Sequence, residues 1–244
     1  MPRRDGDHSG ALGEDREAYG LSIGREGKVF GEGDRKVLEA YGELKRMKEE
    51  GLVRNIGITG DYLVRSSTHC NRTSRLGYPL PTLLRVALLI RETHGPVDVT
   101  MSYCHLTVQN DTFLSFAKEL TERAGVGQLI TASPLCMGLL TPNPPEWSPA
   151  PDKLKTASSE AVDACSAWPG GLPNVALGFA YRNARQLGMP TVVGMGSLEQ
   201  VHETMRVWRE IVSEDGMQQR KEYEEQVVQV FDASGCKNYS WPMP

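Results

Sequence analysis

The chain has 244 residues, 39% hydrophobic and 24% charged, with a formal net charge of −4 and a pI near 5.8. That length suits one large domain or two small ones, and α/β barrels commonly fill it as one. The composition is ordinary for a soluble globular protein, and the acidic balance gives no basic footprint for nucleic acid or an anionic membrane.

Residues 1–33 are rich in Gly, Asp, Glu and Arg without a sustained period, and are expected to be disordered or loosely attached. They hold no apolar core of a signal peptide, and no later run approaches the ~18 apolar residues of a membrane helix, so a cytoplasmic chain is expected. Sequons at Asn71, Asn110 and Asn238 then read as chance matches. Cys70, Cys104, Cys136, Cys165 and Cys236 lack metal-like spacing and read as free thiols, with no metal expected.

Order begins at Asp34, a candidate N-cap, followed by Val37, Leu38, Tyr41, Leu44 and Met47 on one helical face, with Gly51 as the stop. Leu52 to Thr59 reads as a strand. Asp61 to Gly77 is polar and aperiodic, and interrupts a strand from its helix. A helix over Leu80 to Thr93 leads to a strand over Val97 to Tyr103. Asp111 caps a helix carrying Phe113, Leu114, Phe116, Ala117 and Leu120, and Gln128 to Ala132 is again a strand. Leu139 to Pro151 holds five prolines and must be extended. A short helix near Ser158 to Ala167 ends at Trp168-Pro-Gly-Gly, and a stronger one spans Asn174 to Leu187. Pro190 to Gly194 reads as a strand and Ser197 to Val212 as an amphipathic helix. Residues 214–244 form a charged tail or helix.

A helix followed by four strand-helix repeats implies α/β architecture with parallel strands and right-handed crossovers. Periodicity alone leaves open a small sheet or half of an eight-stranded barrel. In barrels the ligand lies at the C-terminal strand ends. Here these read Gly57-Ile-Thr-Gly60, Met101-Ser-Tyr-Cys-His105, Ala132-Ser-Pro-Leu-Cys-Met-Gly138 and Val193-Gly-Met-Gly-Ser197. The last turn enters a helix and can present backbone N–H groups to a phosphate. Ser197 with Gln200 is equally a capping box that needs no ligand. His105 is a candidate acid or base, or a packing histidine.

Together the segments VRNIGITG, VDVTMSYCH, ITASPLCMGLLTPNPPEWSPAP and PTVVGMGSLEQVHET resemble the aldo-keto reductases in order and spacing. The similarity is greatest to the sugar-dehydrogenase branch acting on L-galactose or D-arabinose. It covers Arg35 to Val212, with 61–77 unmatched. The resemblance implies a partial (β/α)8 barrel over 34–213, comprising its last four βα units, with the N-terminal half missing. The missing half and the insert both read as errors of gene structure.

The resemblance also implies roles. Thr59 would meet the nicotinamide amide. Ser133 and Leu135, with Gly138 close behind, would wrap the pyrophosphate. Gly194, Met195, Gly196 and Ser197 would grip the adenosine side, joined by Gln200, Glu203 and Thr204. Gly194 and Gln200 are uncharged where NADP-preferring members carry Lys or Arg. A 2′-phosphate lacking a cation loses roughly 1–3 kcal/mol, so NAD is expected over NADP unless Arg206 intervenes. The family moves hydride between nicotinamide and a carbonyl or hemiacetal carbon, using Tyr, Lys, Asp and His from upstream strands. None is matched here, so no catalytic residue is assigned. The lineage is that of an NAD(P)-dependent aldose 1-dehydrogenase forming a lactone, with a small sugar or aldehyde as substrate. The chain itself is expected to be inactive, a silent dinucleotide-binding or regulatory module, or a non-functional fragment. Its open barrel edges would favour self-association.

Overall fold

The computed structural model describes residues 32–60, 80–214 and 216–240. The segment before residue 32 and the unmatched insert lie outside these. Among the described residues, helices and strands alternate: α1 (Glu32–Glu49), β1 (Gly57–Gly60), α2 (Leu80–His94), β2 (Val99–Tyr103), α3 (Phe113–Lys118), β3 (Gln128–Ala132), α4 (Asp152–Ala164), α5 (Gly171–Gln186), β4 (Thr191–Val192), α6 (Leu198–Ser213) and α7 (Met217–Ala233). The strands form one sheet in the order β1-β2-β3-β4, an α/β arrangement with parallel pairing where β3 meets β4, Thr131 opposite Thr191. By contact density the chain divides into two compact units, one holding residues 32–60, 80–101 and 114–129, the other 102–113 and 130–240.

In the first unit, Val37, Leu38 and Tyr41 of α1 pack with Ile56, Ile90 and Val97, the face expected from their spacing. Gly51 ends α1 at φ +78°, with Leu52 N–H returning to Met47 O at 2.9 Å and Gly51 N–H to Lys48 O at 3.0 Å. This is a Schellman stop, and glycine takes its left-handed residue without strain. Asp34 is not the N-cap: the helix starts earlier, at Glu32, and Asp34 receives both terminal nitrogens of Arg85 at 2.7 and 2.8 Å. The first strand starts at Gly57 instead of Leu52, because Ile56 N–H turns to the Asp98 carboxylate at 2.8 Å. Lys48 pairs with the same carboxylate at 2.6 Å. Burial alone would raise the pKa of Asp98, but Lys48 and the Ile56 N–H outweigh it and hold the carboxyl below the usual range.

In the second unit α5 is buried on nearly every side, and α7 packs on both α4 and α5. The larger core joins Leu139, Leu140, Leu154, Leu172, Val175, Val227 and Phe231. Helix α4 begins at Asp152, six residues before the sequence suggests, since Leu154, Ala157, Ser158 and Ala161 already form its buried stripe. Strand β4 pairs through two residues only, although Pro190 to Gly194 is apolar enough to read as a longer strand. Helix α6 turns Thr204, Val207 and Ile211 inward, as its amphipathic pattern predicts. Helix α7 inserts Arg220, Glu224, Val227 and Phe231 into the unit. Arg220, 1% exposed, lies over the Trp168 ring and passes so close to Gly178 that a Cβ there would sit 2.2 Å from its Nη1.

No helix among the described residues is long and apolar enough to cross a membrane. The described cysteines, Cys104, Cys136, Cys165 and Cys236, are free thiols, as their spacing suggests.

Candidate functional site

The C-terminal ends of β2, β3 and β4 meet on one rim of the second unit. Cys104 N–H donates to Ala132 O at 3.0 Å and Ser133 N–H to Val192 O at 3.0 Å, so each strand end is tied to the next. At this rim the backbone departs from ordinary conformations. Cys104, Ser133, Cys136 and Met137 have φ of +58°, +57°, +49° and +58°. A non-glycine residue in the left-handed region costs about 1 kcal/mol or more, and such strain clusters where a site needs a fixed shape.

Hydrogen bonds hold the strained turn after β3. Ser133 Oγ accepts the Met137 N–H at 3.0 Å, and Ser133 O accepts the Cys136 N–H at 3.0 Å. Leu135 O accepts the N–H groups of Gly138 and Leu140 at 3.0 and 3.2 Å. The Leu135 side chain packs into the core, so only its backbone is turned to this network. Gly138 has φ +87°, and a Cβ on it would lie 2.9 Å from Pro145 Cδ, so glycine is needed here for both torsion and space. Beyond it the proline-rich loop and α4 line a cleft of about 350 Å³ with Pro142, Pro144, Pro145, Glu146 and Lys155.

The turn between β4 and α6 is open and polar. Nothing lies within 4 Å of a Cβ built on Gly194, and Met195 is exposed. The expected capping box forms: Ser197 Oγ accepts the Gln200 N–H at 3.3 Å, and Gln200 Oε1 accepts the Gly196 N–H at 2.6 Å. The Gly196 and Gln200 N–H groups are thereby taken and are not left for a phosphate. Glu199, which the sequence reading passes over, adds a carboxylate at this helix start, held below its usual pKa by its own N–H and the Ser197 hydroxyl.

One turn further, Glu203 accepts Arg206 at 2.6 and 2.9 Å and the Asn174 amide at 2.9 Å, and Arg206 also reaches Glu210 at 3.2 Å. Arg206, Asn174 and burial set the Glu203 carboxyl, the arginine dominating and lowering its pKa. Trp168 Nε1 in turn donates to Asn174 Oδ1 at 2.8 Å. Neither Asn174 nor Trp168 carries a local sequence signal of this contact, since Glu203 lies far along the chain on another helix. Thr204 is buried on the inner face of α6. Thr59 belongs to the first unit and is exposed near the end of β1.

His105 follows the strained Cys104. Its Nδ1 lies 3.0 Å from Ser102 Oγ, and its carbonyl accepts the Phe113 N–H at 2.9 Å. Burial lowers its pKa to about 4, leaving a neutral imidazole at neutral pH. That state suits a packing histidine and gives no proton to donate. Among the described residues no group of three or more His, Cys, Asp or Glu is placed to hold a metal.

Residues 28–225 match the Aldo/keto reductase family. The chain belongs to the aldo/keto reductase family. L-galactose dehydrogenase from Arabidopsis thaliana is 36% identical over 214 residues, which cover 87% of this chain and 58% of that protein. D-arabinose 1-dehydrogenase from Saccharomyces cerevisiae is 27% identical over 169 residues, 68% of this chain and 45% of that protein. The sugar-dehydrogenase relatives are those toward which the strand-end segments point. The chain spans about half the length of these curated relatives. An aldo-keto reductase from Bacillus halodurans, in its holo form, superposes with a TM-score of 0.48 at 16% identity, over 93% of this chain and 68% of that one.

Proposed function

We propose that this chain forms the dinucleotide-binding part of an NAD(P)-dependent sugar oxidoreductase, derived from an aldose 1-dehydrogenase and built on the last four βα units of a (β/α)8 barrel. The observation that carries the reading is the rim itself: three consecutive strand ends tied together, two of them continuing into turns that hold non-glycine residues in the left-handed region. Membership of the family and the two sugar-dehydrogenase relatives support it.

The residues present fit a nucleotide better than they fit an additional phosphate. Gly194 leaves open space, and Gln200 and Glu203 offer an amide and a carboxylate for ribose hydroxyls. Ser133, Leu135 and Gly138 would shape the turn beside the pyrophosphate, and Met195, Gly196 and Ser197 the approach to the adenosine. The assignment of Thr59 to the nicotinamide amide rests on the resemblance alone. The bound dinucleotide supplies hydride transfer at its nicotinamide; these residues bind and orient it. No residue of the chain is assigned to move the accompanying proton, so the second part of the proposal is binding without turnover. Titration of the purified protein with NAD is expected to quench tryptophan fluorescence saturably, with no NADH formed from L-galactose or D-arabinose. Steady NADH production would reject the inactive reading, and absence of any quenching or calorimetric binding would reject the dinucleotide site.

We further propose that the site prefers NAD. Arg206 is the cation nearest in sequence to Glu203, and two carboxylates already compensate it. A 2′-phosphate would have to displace at least one of them while facing the other. Replacing the nearer one, Glu203→Gln, while Glu210 stays to hold the buried Arg220, is expected to improve NADP binding relative to NAD by roughly tenfold, the scale of one charge-assisted hydrogen bond. An unchanged ratio of the two dissociation constants would remove Arg206 from the argument.

A further inference from the structure

Residues 234–240, which follow α7, do not trail away from their unit. They lie along the loop that leaves the C-terminal end of β2, and nearly every residue of that loop is engaged. Gln109 Nε2 donates to Cys236 O at 2.7 Å and to Tyr239 O at 3.0 Å. Asn238 N–H returns a bond to Gln109 O at 2.9 Å, and Asn238 Oδ1 accepts the Asp111 N–H at 3.0 Å. Asn110 Nδ2 donates to Ser240 Oγ at 3.1 Å. Lys237 places its ammonium 3.2 Å from Val108 O and 3.0 Å from Asp111 Oδ2, over the Phe179 ring.

The loop is polar yet buried. Gln109 and Thr107 are 0% exposed and Asn110 2%. Burying such groups is costly unless they find partners; the Gln109 and Asn110 amide nitrogens find theirs in residues 236–240, Thr107 bonds Asn110, and Gln109 Oε1 is left without one among the described residues. The Gln109 amide has one workable orientation, since flipping it would set its oxygen against two carbonyl oxygens. Asn238 holds φ +60°, a left-handed torsion, where its backbone and side chain meet Gln109 and Asp111. A conformation of this kind persists when surrounding bonds over-determine it.

We propose that Gln109 is a positioning residue for the nucleotide-binding rim, clasping segment 236–240 onto the β2 loop so that Cys104 is held in its left-handed torsion and the His105 ring beside Ser102. The link to a nucleotide rests on the function proposed above, whereas the clasp itself stands on the hydrogen bonds. It acts through the loop: the segment excludes water from Val108, Gln109 and Asn110, and the loop in turn fixes the His105 carbonyl against Phe113 N–H and its ring beside Ser102.

The test uses the full chain with two substitutions, Gln109→Met, which keeps length and loses both donated bonds, and Asn238→Ala, which loses the bond to Asp111 N–H. The His105 ring is followed by NMR through a pH titration, and NAD affinity is measured by calorimetry. In the parent protein burial is expected to hold the His105 ring neutral down to about pH 4. Each variant is expected to shift that titration upward by at least one pH unit and to weaken NAD binding at least fivefold, with thermal unfolding still cooperative. An unchanged titration in both variants overturns the clasp. A shifted titration with unchanged NAD affinity overturns its role at the rim. If the parent protein binds no NAD, the proposed function fails while the His105 response still decides whether the clasp exists. Should Gln109→Met fail to fold, the milder Asn238→Ala carries the same readouts.

Discussion

Replacing Arg220 with Ala is expected to cost about 3–5 kcal/mol of stability, the range for breaking a buried ion pair by removing one partner. Arg220 donates to Asn174 O at 2.9 Å and Glu210 at 2.6 Å, and its guanidinium lies 5.1 Å from the Trp168 ring. Burial pulls its pKa down, with Glu210 and Glu224 opposing. Its removal would strip Asn174 O of its side-chain donor, leave Glu210 with Arg206 alone and open a void against Gly178. Gly178→Ala approaches the same contact from the other side. The added methyl would meet Nη1 at 2.2 Å and the less movable Cδ at 2.9 Å, so a loss of about 1–3 kcal/mol from overpacking is expected. Urea denaturation of both variants and the double mutant checks the account. If the two act on one contact, Gly178→Ala should cost markedly less once Arg220 is Ala. Strict additivity would show that the glycine serves some other purpose.

The second large effect is a pH dependence with a defined sign. The folded-state pKa of His105 is lowered to about 4, against an unfolded value near 6.5. Below pH ~6.5 the unfolded chain takes up a proton that the native imidazole refuses, so the histidine favours unfolding progressively as pH falls. The contribution is fully present above pH ~6.5, and its loss is complete once pH has dropped through about 4. At 1.36 kcal/mol per unit the swing reaches about 3 kcal/mol. Chemical denaturation at pH 7, 5.5 and 4.5 should therefore show the parent losing more stability than His105→Gln. Equal losses would mean that the imidazole is already solvated in the native state.

The sequence made the barrel-like alternation, the Gly51 stop and the Ser197–Gln200 capping box legible, because each is local: a period, a torsion or a three-residue spacing. It fell short where partners come from far along the chain. Asp34 looks like a cap until Arg85 is seen beside it. Helix α7 hid its inward stripe because two of the four buried residues on it, Arg220 and Glu224, are charged and betray no apolar period. At the rim, the strand ends could be identified from their glycines and prolines, whereas the left-handed Cys104, Cys136 and Met137 could not, since neither cysteine nor methionine favours that region. The neutralisation of Arg206 lay nearer the surface of the sequence, since Glu203 and Glu210 stand at helical spacing from it. Asn174 reaches Glu203 from another helix, with Trp168 of the preceding loop bonded to it, beyond any spacing rule.

The clasped loop also bears on covalent modification. Asn110 sits in an Asn-Asp-Thr sequon, but its amide nitrogen is spent on Ser240, its oxygen accepts the Thr112 hydroxyl at 2.6 Å, and its side chain is sealed from solvent. An oligosaccharide transferase needs that nitrogen presented on an accessible, deformable stretch of chain. A sugar found on Asn110 would thus date its own attachment to a moment before the loop closed, and would thereafter prevent closure.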